Sequence, residues 1–114
     1  MTQEINLNVI PNGNIPIVHI SQYDTAAARF KYNLLLNGSP YVYEQGATFK
    51  VRGIKADGTT FEHSINIESE CSVFEDMTSA AGDAFCNIEI IEGSNRTGTQ
   101  AFIMRVQSDA KGDI

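Results

Sequence analysis

The most regular alternation of apolar and polar side chains lies in residues 48–68, on both sides of an Asp57-Gly58 pair. Alternation with period two is typical of a half-buried strand, and Asp-Gly between two such runs is a strong signal for a tight hairpin turn. In the second run, Phe61, His63 and Ile65 share the face expected to point into the core. The pattern therefore predicts a β-hairpin at the centre of the fold.

The first arm of this hairpin contains a phase shift. Ile54 falls out of phase with Val51, directly after Gly53. If the hairpin had a two-residue turn and an unbroken ladder, a charged residue of the first arm would pair with a core residue of the second. One extra residue near Gly53 corrects this register. We therefore predict a β-bulge at Arg52 and Gly53, which pairs Arg52 with Glu62 on the polar face.

Further apolar runs alternate in the same way along the rest of the chain. They predict strands at 4–10, 15–21, 29–36, 71–74, 84–92 and 99–106, with a loop at 93–96. Pro16 indicates that the 15–21 strand lies at an edge or is irregular. Residues 75–81, followed by Gly82, predict the single helical turn. About eight short strands with hardly any helix predict an all-β fold, a single β-sandwich that is immunoglobulin-like or jelly-roll-like.

The domain is predicted to span residues 1–106. Residues 107–114 are polar and have no periodicity, so we interpret them as the start of a linker to a C-terminal region that this sequence does not include.

The last two long strands are apolar on both faces. Phe85 and Ile91 have the parity opposite to the core residues of their strand, and so does Ile103 in the next strand. Two explanations stand: the strands are central and loops cover the second face, or that face meets a partner. We expect central placement. If the face is a protein interface, the candidate contact residues are Phe85, Ile91 and Ile103, with Lys50 and Arg52 as charged neighbours.

Composition indicates a chain that folds without metal or disulfides, since 42% of its residues are hydrophobic. Cys71 and Cys86 are expected to be buried thiols. The net charge of −6 divides into +2 for residues 1–55 and −8 for residues 56–114. This acidic balance argues against nucleic acid and anionic membranes as partners, and leaves open an acidic surface or a charge-steered protein partner. The N-terminus lacks signal-peptide features, so we expect synthesis in a cytoplasm.

Candidate chemistry is sparse. His19 and His63 lie on separate predicted strands without metal-ligand spacing, and the sequence has no nucleophile elbow, P-loop or dinucleotide fingerprint. We therefore expect a protein that is not an enzyme and needs no cofactor or metal. The alternative function is a carbohydrate-binding module, for which tyrosines would supply the platform. The tyrosines are Tyr23, Tyr32, Tyr41 and Tyr43.

The order and spacing of the strands and turns resemble the N-terminal domain of phage baseplate upper proteins, of the type found in lactococcal phages. The resemblance spans nearly the whole chain. It rests on residues 17–20, 23–24, 29–34, 37–41, 46–51, 55–58, 77–78 and 81–82, followed by the closing strands.

This resemblance implies a non-catalytic structural protein of the virion tail baseplate, assembled in the cytoplasm of the host bacterium. Domains of this type anchor the receptor-binding apparatus to the ring of distal tail protein at the tail hub. The implied partners are that ring, other copies of the chain, and a receptor-binding protein held by the C-terminal region. The resemblance supplies no catalytic residues to carry over.

Overall fold

Two β-sheets pack face to face in the structure, a computed structural model that describes residues 2–11, 13–23 and 28–108. The strands are β1 (Thr2–Asn8), β2 (Ile17–Ser21), β3 (Arg29–Leu36), β4 (Ser39–Pro40), β5 (Thr48–Ile54), β6 (Thr60–Ile65), β7 (Cys71–Ser72), β8 (Gly82–Glu92), β9 (Asn95–Gly98) and β10 (Phe102–Gln107).

The first sheet has the strand order β1–β3–β4, with β7 also paired to β3. The second has the order β2–β10–β8–β5–β6, with β9 also paired to β8. The pairs β1–β3 and β2–β10 are parallel, and the others are antiparallel. A 3-10 turn at Glu75–Met77 is the one helical segment among the described residues. The predicted all-β sandwich is therefore confirmed.

Alternation along the strands fills the core between the sheets. Tyr32 of the first sheet is 5.9 Å, between ring centroids, from Phe102 of the second. The strands β1, β2, β3, β5 and β10 bury alternate side chains, as period-two geometry requires. The core residues with the smallest exposure include Ile5, Leu7, Phe30, Tyr32, Ile88, Ile90, Phe102 and Met104. In the described part of the chain, no helix is long and apolar enough to cross a membrane.

Both cysteines are free and buried, as predicted. Burial raises the pKa of the Cys71 thiol and raises that of Cys86 to about 12. Because the neutral thiol is the favoured form, these side chains act as small apolar groups in the core.

The predicted bulge at Arg52 and Gly53 is wrong. The β5–β6 ladder runs without interruption through Gly53, which pairs with Phe61, and ends at Ile54 opposite Thr60. The predicted pairing of Arg52 with Glu62 is nevertheless present. The extra residue that produces this register must therefore lie elsewhere in the hairpin.

The turn contains the extra residue. The Gly58 amide donates to the Lys55 carbonyl at 2.9 Å, and the Lys55 amide donates to the Thr59 carbonyl at 2.8 Å. Gly58 has φ +87°, whereas neither Ala56 nor Asp57 has positive φ. This is a three-residue loop in which a type I turn is followed by a left-handed glycine, rather than the two-residue turn that the Asp-Gly pair suggested.

The loop predicted at 93–96 is instead a tight hairpin between β8 and β9. Glu92 pairs with Asn95, so only Gly93 and Ser94 form the turn, and Gly93 has φ +61°. Glycine followed by serine is a known sequence for a two-residue hairpin turn with glycine first. That dipeptide was the available signal for β9.

Beyond β9, the predicted strand at 99–106 begins three residues late. Gln100 is buried, and it hydrogen-bonds to β1 of the first sheet. Its backbone amide donates to the Asn8 backbone carbonyl at 2.9 Å, and its side-chain Oε1 accepts from the Asn8 backbone amide at 2.7 Å. This exchange satisfies backbone groups at the end of β1 and ties the two sheets together.

Other boundaries also differ from the predictions: β1 covers 2–8 rather than 4–10, β2 begins at 17 rather than 15, and β7 ends at 72 rather than 74. The helical turn covers only Glu75–Met77, and Gly82 begins β8 rather than ending a helix. At the C-terminus, β10 includes Gln107, and most of the predicted linker, residues 109–114, lies outside the described residues.

Gly53 allows close packing of three strands. A Cβ atom at this position would lie 2.8 Å from Cζ of Phe61 and 2.9 Å from Sγ of Cys86. Both neighbours are buried in the core, so an added methyl would have to displace a packed ring or thiol.

We expect Gly53→Ala to lower the free energy of unfolding by about 1–3 kcal/mol, because the added methyl overpacks this contact. Urea denaturation measures the change. Gly98→Ala is the matched control: its Cβ would meet only the ends of the Asn87 and Arg52 side chains, at 3.1 and 3.3 Å, and we expect a change within about 0.5 kcal/mol. Equal losses in both variants would contradict this account of Gly53.

Candidate protein interface

A row of four apolar side chains crosses the outer face of the second sheet, the face turned away from the core. Ile103 of β10 pairs with Ile17 of β2 on one side and with Phe85 of β8 on the other, and Phe85 pairs in turn with Ile54 of β5. Directly paired residues share a face, so these four side chains, called the apolar row below, are neighbours. At the usual strand spacing the row is roughly 14 Å long.

Most of the apolar row is open to solvent. Phe85 is 57% exposed, Ile54 55% and Ile17 45%, while Ile103 is half-buried. β8 and β10 are interior strands of the second sheet, so their predicted central placement is confirmed. The predicted covering of this face by loops is wrong at Phe85, which is exposed. A contiguous apolar strip on a sheet face is a feature of interaction sites.

The outer face of the first sheet is different. There, Asn33 donates to Glu4 at 3.2 Å and to Asn6 at 2.9 Å, in a ladder of polar side chains across β1 and β3. Such a face is satisfied by its own hydrogen bonds and by water. The contrast singles out the second sheet as the face suited to a partner.

Arginines flank the apolar row on one side. Arg52 donates from Nε to Asn87 Oδ1 at 2.9 Å and from Nη1 to Glu89 Oε2 at 3.0 Å. Arg96 lies 3.7 Å from the same Glu89 oxygen and remains largely exposed. Two guanidinium groups therefore share one buried carboxylate, which leaves an excess of positive charge beside the row.

A second ion pair flanks the row on its other side. Arg105 holds Asp83 with two bonds, from Nε to Oδ1 at 2.8 Å and from Nη2 to Oδ2 at 3.1 Å. The hydrogen bonds from Arg105 lower the pKa of the Asp83 carboxyl, and the pKa of Arg105 rises in return. This bidentate geometry fixes the orientation of the guanidinium relative to the carboxylate.

The structure places all five predicted interface residues on this outer face. Phe85 and Ile103 belong to the apolar row, and Arg52 adjoins it. Lys50 lies further along β5, and its Nζ forms an ion pair with Glu62 of β6 at 3.3 Å. Ile91 is half-buried at the far end of β8, where β9 lies alongside it, so it is not part of the row. Their role in binding stays a prediction.

The prediction did not include Ile17 and Ile54. Their signals were present in the sequence: Ile17 has the parity opposite to Val18 and Ile20, and Ile54 was the residue out of phase in its strand. The phase shift at Ile54 therefore indicates an outward-facing apolar side chain rather than a bulge.

An open depression of about 630 Å³ lies beside Phe85 and Ile54. Arg52, Asn87 and Ala101 contribute to its lining. The depression joins apolar carbon to the Arg52 guanidinium and the Asn87 amide, and the carboxylates of Glu62 and Asp76 also line it.

The other candidate groups do not converge on one site. His63 Nε2 lies 2.6 Å from Asp76 Oδ1, and the ring stacks on Phe74 at 4.0 Å, while His19 is on the exposed outer face of β2. Among the described residues, no group of three His, Cys, Asp or Glu side chains is arranged to hold a metal ion.

The tyrosines do not form one exposed platform. Tyr32 is buried in the core, and burial raises the pKa of its hydroxyl. Tyr41 and Tyr43 each donate a hydroxyl hydrogen bond to a glutamate, Glu92 and Glu68 respectively.

Comparison with solved structures finds the same fold in the N-terminal domain of phage TP901-1 ORF48. The TM-score is 0.68 at 15% sequence identity, and the match covers 94% of this chain and 99% of that chain. No protein-family model matches the sequence, and neither does any curated protein. The sandwich is thus a fold also found in a phage protein, and at this identity the likeness shows the fold alone.

We expect Phe85→Ala to lower the free energy of unfolding by about 1 kcal/mol or less, because more than half of the side chain is already in water. Phe102→Ala, the same change at a fully buried position, should cost about 3–5 kcal/mol. Urea denaturation of both variants measures the difference. A large loss for Phe85→Ala would show that this face is part of the core.

We expect Arg105→Gln to return the pKa of Asp83 toward the ordinary aspartate value, measured by NMR titration of the carboxyl carbon. The lowered pKa in the folded protein means that this pair stabilises the fold above the ordinary carboxyl pKa, and that the contribution is lost as pH falls through the lowered one. Arg29→Gln, on the other sheet, is the control and should leave the titration unchanged. An unchanged Asp83 titration in Arg105→Gln would refute the assignment.

Proposed function

We propose that this chain is a non-catalytic structural module of a phage tail baseplate, located in the virion tail after assembly in the host cytoplasm. It anchors the receptor-binding apparatus to the ring of distal tail protein at the tail hub. Other copies of the chain and a receptor-binding protein are further partners.

The observation that carries a role in assembly is the exposed apolar row on a sheet whose strands are otherwise well packed. Phe85, Ile54 and Ile17 are exposed apolar side chains on one face of this sheet. Burying them against another protein removes apolar area from water, which is the main favourable term in association.

The phage context is supported by two further observations. The sequence resembles baseplate upper proteins in the order and spacing of its strands and turns. Independently, the fold is shared with the N-terminal domain of a phage protein over 94% of this chain. Both observations concern the whole domain rather than a short motif, so they favour a role for the domain as a unit.

We expect the chain to co-elute with the distal tail protein ring of its own phage in size-exclusion chromatography with light scattering. The ring of an unrelated phage is the control and should leave the chain at its own elution volume. If the chain does not bind the ring of its own phage but binds host cell-wall polysaccharide in a titration, the anchoring function is wrong and the carbohydrate-binding function is supported.

A further inference from the structure

One loop presents an apolar side chain to solvent at the other end of the domain. Val42, in the loop of residues 41–44, is 88% exposed. The Glu92 carboxylate binds both ends of this loop: its Oε1 accepts from the Tyr41 hydroxyl at 2.6 Å and its Oε2 from the Glu44 amide at 2.9 Å. The Tyr41 hydrogen bond lowers the pKa of Glu92, so the carboxylate stays ionised.

Tyr43 fixes the loop from its inner side. Its hydroxyl donates to Glu68 Oε2 at 2.9 Å, and its ring packs edge-to-face on Phe49 at 4.9 Å. The loop is therefore held in one conformation with Val42 outward, and three carboxylates, those of Glu44, Glu68 and Glu92, are bound to it or belong to it. A loop that is already ordered loses little entropy when it binds.

The apolar row has the opposite electrostatic character. Four cationic side chains and three carboxylates lie on the outer face of the second sheet, which gives it a formal charge of +1, whereas the whole chain carries −6 and the remainder therefore −7. The cationic residues are Lys50, Arg52, Arg96 and Arg105, and the acidic ones are Glu62, Asp83 and Glu89. An apolar group surrounded by carboxylates is complementary to this face.

The loop cannot reach the apolar row of its own chain. Glu92, which holds the loop, and Phe85, at the centre of the row, are seven residues apart on the same strand, a separation of about 23 Å. Any contact between the two surfaces must therefore join two chains.

We propose that the loop of residues 41–44 of one copy docks on the apolar row of a second copy, with Val42 against Phe85 at the centre of the row. The carboxylates of the loop then approach Arg52 and Arg105, which flank the row. The two surfaces are different, so the contact is head-to-tail, and its repetition generates a ring or a filament. The proposal rests on the proposed function in one respect, the use of the row as a contact surface.

A single loop on the apolar row buries less area than a standard interface, so each contact is weak and assembly appears at high concentration. Sedimentation velocity of the chain from about 10 μM to about 1 mM should show the wild type growing beyond a dimer. Val42→Asn and Phe85→Asn should each weaken association by at least about tenfold and remain monomeric. Ile10→Asn, at a position 62% exposed and outside both surfaces, is the matched control and should associate like the wild type.

An equimolar mixture of the two variants provides the decisive measurement. Val42→Asn retains an intact row and Phe85→Asn retains an intact loop, so the mixture should form a dimer and nothing larger. A face-to-face contact between two rows cannot give this result. A wild type that is monomeric throughout, a mixture that is monomeric, or a Val42→Asn variant that associates like the wild type would each overturn the proposal.

The same variants separate this proposal from the anchoring function. In one outcome, Phe85→Asn alone loses co-elution with the tail ring, and Val42→Asn self-associates like the wild type. The tail ring then occupies the row, so the self-contact is wrong and the anchoring function stands. If no variant and no wild-type chain binds the ring, but the mixture forms its dimer, the self-contact stands and the anchoring function fails.

Discussion

The contact of the Phe61 ring with Gly53 and Cys86 sets the register of three strands. Phe61 belongs to β6, Gly53 to β5 and Cys86 to β8, and the ring occupies the space where a Cβ of residue 53 would lie. A shift of one residue in either ladder would bring a side chain into that space and turn every neighbour to the opposite face. This single contact therefore also determines which residues of β5 and β8 face outward.

The outward position of Phe85 follows from that register. With Cys86, Ile88 and Ile90 in the core, period two leaves Phe85 on the outer face, next to Ile54 of β5. The chain could have avoided an exposed apolar row with polar residues there, as it does on the outer face of the first sheet, where Asn33 and Asn6 bind each other. Retaining apolar side chains at paired positions on four strands favours a function for the row.

Alternation in the sequence was sufficient to predict the longer strands and the Arg52–Glu62 pairing, because strand parity is a local property. It was not sufficient for the turn. Matching the two arms of the hairpin required one residue more than a two-residue turn provides, and either Gly53 or Gly58 could have accommodated that residue. The structure places it at Gly58, the one with positive φ. Whether a loop covers Phe85 depends on segments distant in sequence, such as the exit of Gln100 toward β1, and periodicity carries no information about those.

The strand β8 controls the relation between the two surfaces of the proposed contact. Phe85 near its start belongs to the apolar row, and Glu92 at its end fixes the loop that presents Val42. Because one extended strand, hydrogen-bonded to neighbours along its length, connects them, their separation and relative direction are rigid properties of the fold. In a head-to-tail assembly, the relative positions of the two contact surfaces on one chain fix the rotation from one copy to the next. That rotation decides whether the copies close into a ring.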